Sequence, residues 1–168
     1  ALKGRRPPKI MEDADWHVSP LYRAQQTARI IGGCDIEFRT DERLIEMDFG
    51  TYEGRTLIEL RDDPSENMAA NENSGLDFQP PDGESPRMVQ RRLRPFLEEL
   101  GQGGGRHVVV AHKSIIRAVF AEAYDWDMMG HPPVKLHWDR VHLFSIDNLC
   151  RLSPVRMNIP MQVGGKTN

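Results

Sequence analysis

The sequence predicts an α/β fold, a three-layer sandwich with helices on both sides of a mostly parallel sheet, and three stretches carry that expectation. Residues 107–111 (HVVVA) form a short, β-branched apolar run, as expected of a strand buried on both faces. A turn at His112 follows at once, after which Ile115, Ile116, Val119, Phe120 and Ala123 fall on one helical face. Strand, tight turn and helix in succession make an α/β unit. Elsewhere, SPLYRAQQTA and GESPRMVQRRL each present a serine followed by proline, a pairing that starts helices.

Taken in order, the first helix has Ser19 as its cap and Pro20 at its first position. Its stripe is Leu21, Ala24, Ala28 and Ile31, and Gly32-Gly33 ends it. The Pro7-Pro8 pair precludes a full helix upstream. Residues 41–60 are acidic, broken by Gly50 and Gly54, and read as a loop leading into a short helix near 56–61. Residues 62–84, rich in Asn, Pro, Gly and acids, have the composition of a loop and the length of a lid. Ser85-Pro86 opens a helix with the stripe Val89, Leu93, Phe96, Leu97 and Leu100. Gly101 is expected to stop it, and Pro95 to kink it or cost it a hydrogen bond. Residues 141–146 (VHLFSI) read as a late strand.

Bulk composition narrows the function. At 168 residues, 39% hydrophobic and 28% charged, the chain is expected to be a single domain (1–168) with a continuous core. A net charge of −3 argues against general nucleic-acid binding. No apolar run approaches the roughly 18 residues of a membrane span, and none resembles a signal peptide. These features predict a cytoplasmic protein with Cys34 and Cys150 as reduced thiols. His131, His137, Asp139 and His142 match no metal-ligand spacing, and no G-x-S-x-G elbow occurs.

Three candidate elements of chemistry remain. His112 follows the buried strand and precedes a helix whose first N–H groups are free to hold an oxyanion. Arg23 is a cation on the first turn of a helix, where the backbone dipole already favours an anion. A planar guanidinium there suits bidentate phosphate binding. The acidic segment offers Glu42, Glu46, Asp48 and Glu53 as donors of a proton to a leaving oxygen, and composition does not choose among them.

The blocks SPLYRAQQTA, LIEMDFGTYEG, PDGESP and VVVAHKSIIRA, in that order, resemble the histidine phosphatase superfamily, also called phosphoglycerate mutase-like, over nearly the whole chain. The closing WDRVHLFSID and RMNIP look like the bacterial phosphatase branch. The resemblance implies a phosphomonoester hydrolase that works through a phosphohistidine. It maps Arg23 onto a phosphate-binding arginine, Glu46 onto the acid, and His112 onto a second histidine that holds the phosphoryl group. The backbone N–H of Lys113 is expected to help, Tyr52 and Phe78 to contact substrate, and Glu84 to be structural. The substrate implied is a small-molecule phosphate ester, with no metal or cofactor called for and oligomeric state left open, a dimer included. The family's nucleophile lies in an Arg-His-Gly motif on a first strand, and that triplet is absent from the sequence. His17, just before the SPL block, is not placed to replace it. The expectation is therefore a domain whose first strand, with its motif, lies outside these 168 residues. The alternatives are a mutase-type phosphoryl transfer and a non-catalytic phospho-ligand binder.

Overall fold

A computed structural model describes residues 5–66, 68, 71 and 73–163. At its centre lies a parallel sheet in the order β3-β2-β4, formed by Asp15–Val18 (β2), Arg39–Thr40 (β3) and His107–Val110 (β4). β2 pairs β4 with Val18 opposite Val110, and β3 with Val18 opposite Thr40. Arg5–Arg6 (β1) pairs antiparallel with Gln162–Val163 (β7), while Arg140–Ile146 (β5) and Leu152–Pro160 (β6) form an antiparallel pair of their own.

Helix α1 (Tyr22–Gly32) covers one face of the sheet. Its small residues Ala24 and Ala28 are buried against Trp16, Val18, Val108 and Val110. The opposite face, marked by His17 edge-on to Phe96 at 5.3 Å, receives α3 (Pro86–Gly103), which packs with α4 (Lys113–Ala123). Helices on both sides of a parallel sheet are the α/β layering that the sequence predicts. A short α2 (Leu57–Asp62) begins at Thr56, which forms a reciprocal capping box with Glu59. Tyr52, Leu60 and Met68 pack with Phe49 and Phe78 into a small core of their own.

Several expectations need correction. α1 starts at Tyr22 with Leu21 as its cap, so Ser19 is not the cap residue. α3 continues through Gly101 and stops at Gly104, whose φ of +64° a side chain would strain. Gly101 is there for packing: a Cβ on it would lie 2.6 Å from the Asp147 carbonyl oxygen. Pro95 lies inside the helix as the sequence indicates, and with no N–H it gives up one bond of the helical ladder. The strand at 107–111 is not buried on both faces. Val108 and Val110 are, but Val109 is 42% exposed, because the outer edge of β4 pairs with no strand among the described residues.

Candidate active site

The parallel pairing of β2 and β4 builds the site. Both strands end at the same level, with the Ser19 N–H donating to the Val110 carbonyl at 2.9 Å. The chain beyond β2 enters α1 and the chain beyond β4 enters α4, so two helix N-termini converge where the strands finish. His112 lies there, 7% exposed, as the cap residue of α4. Its side chain makes no cap bond and turns instead to α1.

Hydrogen bonds define its tautomer. Arg23 Nε–H donates to His112 Nδ1 at 3.3 Å, and a guanidinium is only a donor. Nε2 therefore carries the proton and donates to Ser19 Oγ at 2.8 Å. Ser19 is fully buried, and its oxygen also accepts from the Leu21 N–H at 3.3 Å. Burial holds His112 below the ordinary imidazole value. Glu46 pulls the other way, while the cations of Arg23 and Arg92 reinforce burial. The ring is neutral near pH 7. The two Nη groups of Arg23 have no protein partner among the described residues, so its fork remains open to a ligand.

Geometry chooses among the four acids. The loop after β3 begins with the Asp41 N–H bonded to the Val18 carbonyl at 3.1 Å, and Leu44 and Met47 anchor it in the core of α3 and α4. Between these two anchors, Glu46 reaches the start of α4, where its Oε1 accepts from the Ser114 N–H at 3.3 Å and from its own neighbour Met47 at 3.0 Å. Asp48 and Glu53 bond within their own loop, to the Gly50 and Phe49 N–H groups, and Glu42 is exposed. The Lys113 N–H, next to Ser114, has no protein partner among the described residues. The Lys113 ammonium lies 5.6 Å from the centre of the Trp138 ring.

Beside Glu46 opens a pocket of about 500 Å³, lined by Met47, Phe49, Leu60, Phe78, Ser114 and Arg117 among others. Tyr52 lines it too, but is only 4% exposed and donates its hydroxyl to Glu66. Its polar end is therefore committed within the protein. A cleft of about 560 Å³ lined by Asp15, Arg29 and Phe38 lies at the start of β2, away from these groups. Among the described residues no cluster of three His, Cys, Asp or Glu side chains is arranged to hold a metal ion, and no helix is long and apolar enough to cross a membrane.

A family model described as the histidine phosphatase superfamily (branch 1) matches residues 2–150. The chain belongs to the histidine phosphatase superfamily. Fructose-2,6-bisphosphatase of Saccharomyces cerevisiae is 26% identical over 148 residues, 84% of this chain and 31% of that protein. A 2,3-bisphosphoglycerate-dependent phosphoglycerate mutase of Parvibaculum lavamentivorans is 32% identical over 61% of this chain and 53% of its own length. The chain thus spans about one third to one half of the curated relatives it matches. Among solved structures, a mycobacterial glucosyl-3-phosphoglycerate phosphatase superposes with a TM-score of 0.72 at 25% identity, over 90% of this chain and 80% of that one. The same phosphatase is known in complex with inorganic phosphate.

Two groups escaped sequence reasoning. Ser19 reads locally as a helix cap, and only the pairing of β2 with β4 makes it the acceptor for His112. Arg92 reads as one more cation on an exposed helical face, yet it bonds the carbonyls of the loop that carries Glu46. No local signal marks either.

Proposed function

We propose that this histidine phosphatase domain hydrolyses small-molecule phosphomonoesters through a phosphohistidine. The observation that carries the reading is the convergence of Arg23, His112 and Glu46, from three separate segments, on the free N-termini of α1 and α4. The free Nη groups of Arg23 and the Lys113 N–H take the equatorial phosphoryl oxygens as preorganised donors. His112 joins them when a proton is placed on Nδ1, the nitrogen that Arg23 Nε–H otherwise occupies. Glu46 protonates the ester oxygen as its bond to phosphorus breaks. As carboxylate, it then removes a proton from the water that cleaves the P–N bond.

The attacking histidine is assigned to a strand seated along the open outer edge of β4. Running parallel to β4, such a strand would end beside His112, and the placement is supported by the exposed Val109 and by an edge of β4 that no strand pairs among the described residues. The pocket beside Glu46 is assigned to the leaving group, with the rings of Tyr52 and Phe78 as contact surface. Phosphatases among the relatives and neighbours favour hydrolysis over transfer between substrates.

The intact protein is expected to hydrolyse an aryl phosphate with a chelator present, and an acid-labile phosphohistidine should appear by ³¹P NMR after rapid quenching. His112→Ala should lower turnover roughly 10²–10³-fold, the usual effect of removing one such donor. Near-normal turnover in that variant, or an intermediate with an acid-stable linkage, would overturn the reading.

A further inference from the structure

Resting on that reading of Glu46, we propose that Arg92, paired with Glu84, is a positioning residue that holds the acid in place from the far side of its loop. The loop from 45 to 49 has no regular structure and so no internal ladder to fix it. Arg92 lies on α3 and directs its fork at four acceptors. Nε and Nη2 donate to the two carboxylate oxygens of Glu84 at 2.8 and 3.0 Å. Nη1 donates to the Arg43 carbonyl at 2.5 Å and Nη2 to the Ile45 carbonyl at 2.8 Å.

Glu84 completes the clamp from the other side. Its carboxylate accepts from the Asp48 N–H at 3.1 Å, and its own N–H donates to the Asp48 carbonyl at 2.8 Å. The backbone is thus pinned immediately before Glu46 and two residues after it. Both side chains are 21% exposed, so the pair is largely shielded from competing water. Arg92 does not hydrogen-bond Glu46, His112 or Arg23, so its hold on the acid runs through the loop, and on His112 it acts only by its charge, which Arg92→Lys keeps.

A planar five-donor fork meets this arrangement and an ammonium does not, because lysine cannot present coplanar donors to a carboxylate and two carbonyls at once. The geometry of Arg92, and not its charge alone, is what the acid requires. A loop displaced by about 1 Å would blunt proton transfer while leaving phosphate binding at Arg23 and His112 intact.

The test compares alkyl and aryl phosphates, since an aryl leaving group hardly needs a proton. Glu46→Gln is the control and should slow alkyl esters more than aryl ones. Read by rapid quench, Arg92→Lys and Arg92→Gln should both slow phosphohistidine formation from alkyl esters roughly 10- to 100-fold, with formation from aryl esters and competitive inhibition by inorganic phosphate changed less than about threefold. Hydrolysis of the phosphohistidine should slow alike for both esters. Added to Glu46→Gln, Arg92→Gln should cost little more, because the two act as one unit. Glu84→Gln, a milder change that keeps the side-chain shape, should show the same selectivity to a smaller degree.

A readout independent of turnover is amide hydrogen exchange, which should quicken at Asp48 and Ser114 in the Arg92 variants and stay unchanged in β4. Full activity in Arg92→Lys would mean that charge suffices and would overturn the proposal. So would equal losses in phosphohistidine formation from alkyl and aryl esters, or unchanged exchange at Asp48 and Ser114. If Glu46→Gln itself fails to discriminate between the esters, the reading of Glu46 falls first, and the two failures are told apart.

Discussion

At the scale of single residues, the contact between Ser19 and His112 shows how much one hydroxyl can organise. Ser19 Oγ is fully buried and takes the Nε2 proton of a buried imidazole, whose other nitrogen is met by Arg23. Replacing Ser19 by Ala would leave a buried N–H donor without an acceptor, at a cost of about 1–3 kcal/mol. Urea unfolding of Ser19→Ala should show a loss of that size with an unchanged m-value. A change within about 0.5 kcal/mol would mean that His112 finds another acceptor. Arg23 answers to the same geometry. It stands on the first turn of α1 with no acidic residue there and spends one donor on His112, while its two Nη groups have no protein partner among the described residues. The sequence made Arg23 and His112 legible as candidates, each by its place beside a helix start. It did not make Ser19 legible, because a serine before proline has a sufficient local explanation.

At the scale of elements, periodicity was a reliable guide wherever a helix buries one face. The stripe Val89, Leu93, Phe96, Leu97 and Leu100 is buried along α3 as its spacing requires. The end of that helix was misread because glycine has two uses. Gly101 lies where Asp147 approaches, and Gly104 supplies the positive φ that terminates the helix. The two uses predict opposite effects. Gly101→Ala should destabilise by about 1–3 kcal/mol through overlap with a backbone carbonyl, despite the better helix propensity of alanine. Gly103→Ala, with nothing within 4 Å of the added carbon, should stabilise by up to about 1 kcal/mol. Thermal unfolding of both variants decides it, and shifts of the same sign would refute the packing explanation. Strands were harder to read. β6 contains Pro154 and Pro160, which argue against a central strand, and they are tolerated because, among the described residues, β6 pairs with no strand but β5. β2 is four residues long and includes Asp15 and His17, too little pattern to register.

The whole molecule carries a histidine-dependent response to pH. His17 on β2 and His107 on β4 face each other with Nε2 and Nδ1 at 3.2 Å, and His107 Nε2 bonds the Gly104 carbonyl at 2.9 Å. His107 Nδ1 is then the acceptor and His17 Nε2–H the donor. Burial pushes His17 below the ordinary value, helped by His107 and Arg39 and opposed by Asp15 and Asp41. Burial does the same to His112 and His142. An imidazole depressed in the folded state binds fewer protons than it does unfolded. Its contribution is whole above the unfolded value of about 6.5 and is lost as pH falls below it. The melting temperature should therefore drop between pH 7.5 and 5.5, and His17→Gln should flatten part of that drop. A melting temperature that is constant or rises toward pH 5.5 would contradict the pairing. Carboxylates held low by their arginine partners, such as Asp41 beside Arg43, act only at more acid pH and do not confuse the window.

The sequence by itself determined the class of fold, the positions of the helices that bury one face, and the order of four blocks that mark a histidine phosphatase. Helical period, proline and glycine act over a few residues, so a linear chain displays them. Tertiary structure decided which of four acids meets α4, that Ser19 serves His112, and that Arg92 braces the acid loop. Each of these is a hydrogen bond between groups 47 to 93 residues apart. Such a bond exists only once the register of β2 on β4 and the docking of α3 on α4 are set, and those depend on the packing of the whole core.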